Sequence, residues 1–295
     1  EQDEWTKGTD GKVRLPARLF AGEYELTEIQ APTGYQLDAP DYRFKVTKRD
    51  CEERLDGTFT YVVNMRDTPS KGKIQITKKG EMLVSVSQDD LNNYKFKYEE
   101  KNLQGATFRI VAEEDILNPA NGEALYKAGE TVETIKSGDD GIASSSELPL
   151  GKYYVEEATA PNGFVLNKES KDVTLSYEDQ FTPLVFDGTN FKNERQTVEL
   201  DAIKKDSKTN EKVAGATFTL TTKEDIVNYK GEVLVKAGEV VQTSTTDKNG
   251  HVEFTNTLPL GQYTVAEVKA PDGYHSTAKT YDVDASYKGQ DVNKI

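Results

Sequence analysis

The chain has 295 residues, enough for about two average domains of roughly 150 residues or for several smaller ones. Its 51 Asp and Glu against 37 Lys and Arg give a net charge of −14, and no basic run exceeds two residues, so neither nucleic acid nor an anionic membrane surface is an expected partner. No apolar run approaches the ~18 residues that span a bilayer, and two His with one Cys are too few for a zinc site, a haem or a disulfide framework; no membrane insertion, metal or cofactor is expected.

Short runs of Tyr, Phe, Val and Thr alternate with polar residues and are set between Gly, Pro, Asn and Asp clusters, which predicts strands joined by turns. No 3.6-residue stripe of helical length interrupts them, so the expected fold class is all-β. In chain order, Tyr24 and Leu26 alternate into Glu28 within GEYELTEIQAPTGY (22–35), and YVVNMR (61–66) follows. KIQITKKG (73–80) is the next strand, with Ile74, Ile76 and Lys78 in step. MLVSV (82–86) and YKFKY (94–98) alternate around QDDLNN (88–93), which reads as a hairpin. GATF (105–108), GKYYVEEATAPNGF (151–164) and TNFKNER (189–195) come after it. VELDAIKKD (198–206), a second GATF (215–218) and GQYTVAEVKAPDGY (261–274) close the series.

Three of these segments share one register: 22–35, 151–164 and 261–274 all read Gly-x-Tyr, then an apolar step, Glu, and Ala-Pro-x-Gly followed by Tyr or Phe. An offset of 110 residues also carries the first GATF onto the second, and Leu148-Pro149-Leu150 onto Leu258-Pro259-Leu260. The chain is therefore read as three homologous modules. Residues 1–69 are a partial one lacking its opening strands. Residues 70–196 are a complete one with a 16-residue insertion near 82–101, and residues 197–295 are one lacking its closing strand. Glu28 to Asn64 and Glu157 to Asn193 both span 36 residues. The same spacing from Glu267 falls past Ile295, and the lysine preceding Glu28 falls before residue 1. The links near Thr68-Pro69 and Arg195-Gln196 are short, which favours an articulated, elongated rod.

Side chains two apart on a strand share a face. Lys78 then lies with Ile74 and Ile76, and Lys204 with Val198, Leu200 and Ala202. Glu28, Glu157 and Glu267 each follow two inward apolar or aromatic positions. Asn64 lies with Val62, and Asn193 with Phe191. Each core is thus expected to receive some of an amine, a carboxyl and an amide. Burial disfavours charge, so a buried amine becomes a nucleophile and a buried carboxyl can shuttle protons. The plain alternative for Lys78 and Lys204 is a snorkelling lysine, and for the glutamates, satisfaction by backbone donors alone.

The box Tyr-x-[Leu/Val]-x-Glu-x-x-Ala-Pro-x-Gly-[Tyr/Phe], preceded by Gly-Ala-Thr-Phe and an alternating strand ending in Lys, resembles the CnaB-type modules of Gram-positive surface adhesins and pilins. The resemblance covers roughly residues 10 to 295. It implies tandem transthyretin-like, or prealbumin-like, β-sandwiches of Ig-like architecture. It also implies a self-formed isopeptide bond from a first-strand Lys to a last-strand Asn or Asp, assisted by the box Glu. The matching residues are Lys78, Asn193 and the acid/base Glu157 in the middle module. Glu28 with Asn64, and Glu267 with Lys204, hold the equivalent positions in the incomplete modules, where Asn64 and Lys204 are expected to lack a bonding partner within the chain.

Other candidates are weaker. Cys51 matches Gln180 at an offset of 129 and reads as an unpaired thiol. His251 and His275 read as exposed. Glu114-Asp115 and Glu224-Asp225 lack the alternating oxygen ligands of a calcium loop. No P-loop, nucleophile elbow, zincin or dinucleotide fingerprint is present. The reading is a structural stalk or shaft segment of a cell-wall-attached, extracellular surface protein or pilus-like protein, whose one chemical act is single-turnover self-modification rather than enzymatic turnover. Its partners are neighbouring modules of the same chain, with a host matrix protein or other surface subunits as further candidates. Two other classes compete: an adhesin module gripping a host matrix protein or glycan, and an enzyme on a transthyretin-like fold. The insertion hairpin is expected to extend its own module's sheet, with an edge offered to a partner as its alternative.

Overall fold

The computed structural model describes residues 11–15, 18–55, 57, 59–255, 257–276 and 279–295. Among them the regular structure is strand throughout, apart from one 3-10 turn at Lys48–Asp50. The all-β expectation therefore holds, and the architecture is that of tandem β-sandwich modules. The chain divides into two compact units, Glu1–Lys71 with Tyr177–Val185, and Gly72–Ser176 with Phe186–Ile295.

In the first unit Gly22–Leu26 pairs antiparallel with Tyr42–Val46, and Tyr24 faces Phe44 across the ladder. The Tyr24 and Phe44 rings stack with centroids 5.7 Å apart, and Tyr61 stacks on Phe44 at 4.9 Å. Tyr and Phe at a cross-strand position are the pairs that stabilise an antiparallel ladder. Ala31 is this unit's one buried hydrophobic residue among those described.

The second unit holds two copies of one four-stranded antiparallel sheet. In the first copy the order is Thr131–Lys136, Thr107–Ala112, Gly151–Thr159, Ser170–Leu175. In the second it is Val240–Thr245, Thr217–Thr222, Gly261–Lys269, Thr280–Ala285. The Gly-Ala-Thr-Phe strand and the box strand thus lie side by side at each sheet's centre. Opposite the first copy, the 18-residue strand Lys71–Gln88 pairs with Ile142–Ser144, Leu148–Pro149, Tyr94–Asn102 and the closing strand Leu184–Asn193. Its burial alternates from Gly72 to Gly80, with Ile74, Ile76 and Lys78 inward, as period-2 side-chain placement requires.

The repeated Tyr of the box has a structural task in all three copies. Its hydroxyl donates to the carbonyl four residues earlier: Tyr24 to Phe20 at 3.0 Å, Tyr153 to Pro149 at 2.7 Å, Tyr263 to Pro259 at 2.7 Å. A buried phenol needs such a partner, and the bond pins the entry of each box strand. The Gly of each Ala-Pro-x-Gly turn takes a positive φ, 89° at Gly34 and Gly163 and 84° at Gly273, a conformation that a Cβ would strain.

The insertion hairpin extends the opening strand of its own sheet, with Lys79 opposite Asn102 through to Gln88 opposite Tyr94. It also does something the sequence did not suggest. Leu83 and Phe96 are buried in the apolar cluster of the following repeat, among Phe218, Val241, Val252 and Tyr263, with Val86, Tyr94 and Tyr98 packed at its margin. Polar bonds fix the contact: Tyr229 N–H to the Leu83 carbonyl at 3.0 Å, Thr243 N–H to Asn93 Oδ1 at 2.7 Å, and the Tyr94 hydroxyl to Glu239 at 2.6 Å. Burying Leu83 and Phe96 contributes about 1.5–3 kcal/mol each. The aromatic ladder is spent inside the molecule, on the repeat that follows.

Candidate functional site

The middle repeat gathers Lys78, Glu157 and Asn193 in one buried cluster. Lys78 comes from the opening strand, Glu157 from the box strand and Asn193 from the last residue of the closing strand. The Lys78 ammonium nitrogen Nζ lies 2.8 Å from Glu157 Oε1 and contacts Asn193 Oδ1 directly. Asn193 Nδ2 donates to the same Glu157 Oε1 at 3.1 Å, and the Asn167 N–H donates to Glu157 Oε2 at 2.8 Å. Each side chain is therefore met by the other two, and the carboxylate is oriented by the backbone from its far side.

Lys78 is fully buried, with the rings of Phe108 and Phe191 at 5.6 Å and 5.7 Å from Nζ. Burial draws its amine below the ordinary lysine range; the Glu157 hydrogen bond and charge oppose this, and the Lys171 cation adds to it. Neighbouring Lys79 is half-exposed and reaches Glu100 at 3.5 Å, so strand parity separates the two lysines. Close packing keeps the strands in place. A Cβ on Gly80 would sit 2.6 Å from the Phe164 ring, and one on Gly188 would sit 2.3 Å from the Gln75 carbonyl oxygen, where closing and opening strands run against each other.

The third repeat brings two of the three groups together. Lys204 Nζ lies 2.9 Å from Glu267, whose side chain is 4% exposed against 18% for the lysine. No Asn or Asp side chain among the described residues joins them.

In the first repeat the structure departs from the expected inward Asn64. Asn64 and Val62 are exposed, whereas Asp67 places Oδ1 in the interior with no hydrogen-bond partner; Glu28 Oε2 is likewise buried. The reason is register. Gln36 N–H bonds the Thr68 carbonyl as Val165 N–H bonds that of Glu194, and Ser70 N–H bonds the Gly34 carbonyl as Gln196 N–H bonds that of Gly163. Tyr35 bridges Pro69 as Phe164 bridges Arg195. The residue before Thr68 is Asp67, as the residue before Glu194 is Asn193. The first repeat has three extra residues between box and closing segment, and an odd slip turns a side chain to the opposite face. A signal for this was present: Asp67 to Lys78 and Asn193 to Lys204 both span 11 residues.

The remaining candidates have ordinary partners. Asp115 holds Lys127 at 2.8 Å and the Ala128 N–H, Glu114 holds Lys152 at 3.3 Å, and Glu224 and Asp225 accept the N–H groups of Gln262 and Ala237. His251 meets Asp201 at 2.8 Å, His275 is exposed and Cys51 is a free thiol. No helix among the described residues is long and apolar enough to cross a membrane.

Comparison with known proteins agrees with this architecture. No curated protein matched the chain. Among solved structures, the Bacillus anthracis TIE protein is similar over 98% of this chain at 24% identity with a TM-score of 0.60. The match takes in 44% of that chain, so this sequence spans less than half of its length. The shaft pilin SpaA from Lactobacillus rhamnosus GG is 19% identical, covering 74% of this chain and 95% of its own, with a TM-score of 0.30. A streptococcal ancillary pilin is 21% identical, covering 96% and 75%, with a TM-score of 0.29. A family profile matches residues 1–59, 89–189 and 198–294, one segment for each repeat and well over half of the sequence, and the chain thereby belongs to the SpaA family of prealbumin-like fold domains.

Proposed function

We propose that this chain is a load-bearing structural segment of a Gram-positive cell-surface or pilus-like protein, in which Lys78 and Asn193 join in a self-formed isopeptide bond with Glu157 as acid/base. The observation that carries the reading is the buried contact of amine, carboxyl and amide. The neutral Lys78 amine attacks Asn193 Cγ while Glu157, whose Oε1 already faces both Nζ and Nδ2, takes the proton that Nζ loses. Glu157 then passes the proton lost by Nζ to Nδ2, the Cγ–Nδ2 bond breaks, and ammonia leaves as the amide to Nζ forms. The three groups are already in contact, so fixed orientation replaces a bimolecular encounter. Product and leaving ammonia account for every atom, and no turnover follows.

Such a bond joins the opening strand to the closing strand, so tension along the chain passes through covalent bonds and leaves the sheet's hydrogen bonds unloaded. This suits a stalk or shaft on the cell wall, with neighbouring modules, other surface subunits or a host matrix protein as partners. The third repeat's Lys204 and Glu267 are the amine and acid/base of the same reaction, lacking an acceptor among the described residues. In the first repeat the acceptor position falls to Asp67, where a bond to a lysine would release water rather than ammonia. The test is the intact mass of the full chain and of its proteolytic fragments. One ammonia is lost, and a fused peptide containing Lys78 and Asn193 survives digestion; an undiminished mass with separate peptides refutes the reading.

A further inference from the structure

We infer that the Ala-Pro-x-Gly turn is a docking socket, and that the copy on the third repeat, Ala270 to Tyr274, receives the Tyr-x-x-Gln loop of another prealbumin-like module. The socket is seen filled twice in this chain. In the first unit the Ala31 N–H donates to Gln180 Oε1 at 2.9 Å, and the Leu37 N–H donates to the Gln180 carbonyl at 2.9 Å. In the second unit the Ala160 N–H donates to Gln290 Oε1 at 2.9 Å, and the Leu166 N–H to the Gln290 carbonyl at 2.8 Å. One glutamine thus uses its side-chain and main-chain oxygens to satisfy the two N–H groups that flank the turn. These N–H groups lie outside the sheet ladders and need an acceptor wherever the turn is covered. The loops that carry the glutamines match, Tyr177-Glu178-Asp179-Gln180 and Tyr287-Lys288-Gly289-Gln290.

The third turn has the same internal geometry. The Tyr274 N–H bonds the Pro271 carbonyl at 3.1 Å, as the Phe164 N–H bonds that of Pro161 at 3.1 Å and the Tyr35 N–H that of Pro32 at 3.0 Å. Its surroundings differ. Among the described residues nothing accepts from the Ala270 N–H, and Tyr274 is 40% exposed where Phe164 is 7% exposed. The turn is shaped before its occupant arrives, and preorganisation of this kind lowers the ordering cost of association.

The occupant is a module whose loop carries Gln, and the first repeat of a second copy does not qualify. Cys51 stands at its glutamine position, and a thiol is both short and a weak acceptor. The contact is therefore directional, with each turn accepting the loop of the next Gln-bearing module. Gln180 and Gln290 are its positioning residues.

Amide hydrogen exchange on the full chain tests this. In the unmodified chain Ala270 exchanges much faster than Ala31 and Ala160. Gln290→Ala raises exchange at Ala160 by about tenfold and leaves Ala31 and the box-strand amide of Val155 unchanged, while Gln180→Ala does the converse. Gln290→Glu, which keeps the acceptor oxygen, restores most of the protection. Extending the chain at Ile295 by a second copy of Phe186–Ile295 places a further Gln-bearing loop after the third repeat. Ala270 then becomes protected, and loses that protection when the appended copy carries Gln290→Ala. Three results would each overturn the inference: Ala270 already as protected as Ala160, Gln290→Ala without effect on Ala160, or an extended, folded chain whose Ala270 remains fast. None of these readouts depends on the isopeptide bond, which intact mass follows separately.

Discussion

Replacing Lys78 by Met and Glu157 by Gln together removes the amine and the carboxylate while keeping both side-chain volumes close to the originals. Neither partner is then left as a lone buried charge, so what is lost is chiefly the proposed covalent link. Lys78 and Asn193 are 115 residues apart. Closing a loop of that length lowers the entropy of the unfolded chain by an amount worth about 5 kcal/mol at 25 °C, taking a disulfide as the analogue. For a unit of this size that corresponds to a fall in melting temperature of about 10–20 °C. Glu157→Ala alone falls further, because the Lys78 amine stays buried between Phe108 and Phe191 without its carboxylate, and breaking one side of a buried pair costs about 3–5 kcal/mol. The expected order of stability is wild type, then the double variant, then Glu157→Ala. Differential scanning calorimetry measures it, with intact mass on the same samples to show that both variants are unlinked. A double variant that has lost the link yet melts with the wild type would refute the loop-entropy reasoning. A wild type that had never lost ammonia would refute the bond itself.

The amine's lowered pKa makes bond formation pH-dependent: in refolding experiments the rate of ammonia release rises with pH and levels off below the ordinary lysine value, whereas a rate indifferent to pH would show that the neutral amine is not the attacking species. In Asn193→Ala, which stays unlinked, Lys78 remains titratable. Its folded pKa lies below its unfolded one, so the unfolded state binds more protons between the two values and stability climbs with pH through that window; denaturant melts at graded pH give the slope. Gly188→Val drives a Cβ against the Gln75 carbonyl oxygen, 2.3 Å away, and is expected to shift the closing strand and abolish the mass loss. Phe96→Ala in the insertion hairpin lowers the stability of the following repeat by about 3–5 kcal/mol, read as faster exchange at Val241 and Val252; unchanged exchange there would mean the hairpin is not part of that repeat's core.

Strand identity and the middle site were legible because both follow from strictly periodic chemistry. A side chain's face is decided by even or odd position, and three repeats fix which position is even, so Lys78 separates from Lys79 and Glu157 from Glu156 without a coordinate. Asn64 shows where that method gives out. Parity relates residues within one strand, whereas the 36-residue spacing crossed a loop of unspecified length, and the resemblance of Asn-x-Arg at 64–66 to 193–195 invited the wrong register. The 11-residue count to the next lysine crosses only the short link between repeats, and it selects Asp67, whose Oδ1 is buried. The hairpin's destination was illegible for a different reason: alternation in 82–98 shows that one face is covered, but the covering residues, Phe218, Val241 and Tyr263, stand more than a hundred positions away. The socket lies between these cases. Matching Gln180 to Gln290 and to Cys51 was possible from the repeats alone, yet a glutamine in a polar loop carries no periodic signal. Its role is visible only once two backbone N–H groups are seen to end on its two oxygens. Internal repeats thus determine what recurs within a module, and the contacts between consecutive repeats must be read from three-dimensional hydrogen bonding.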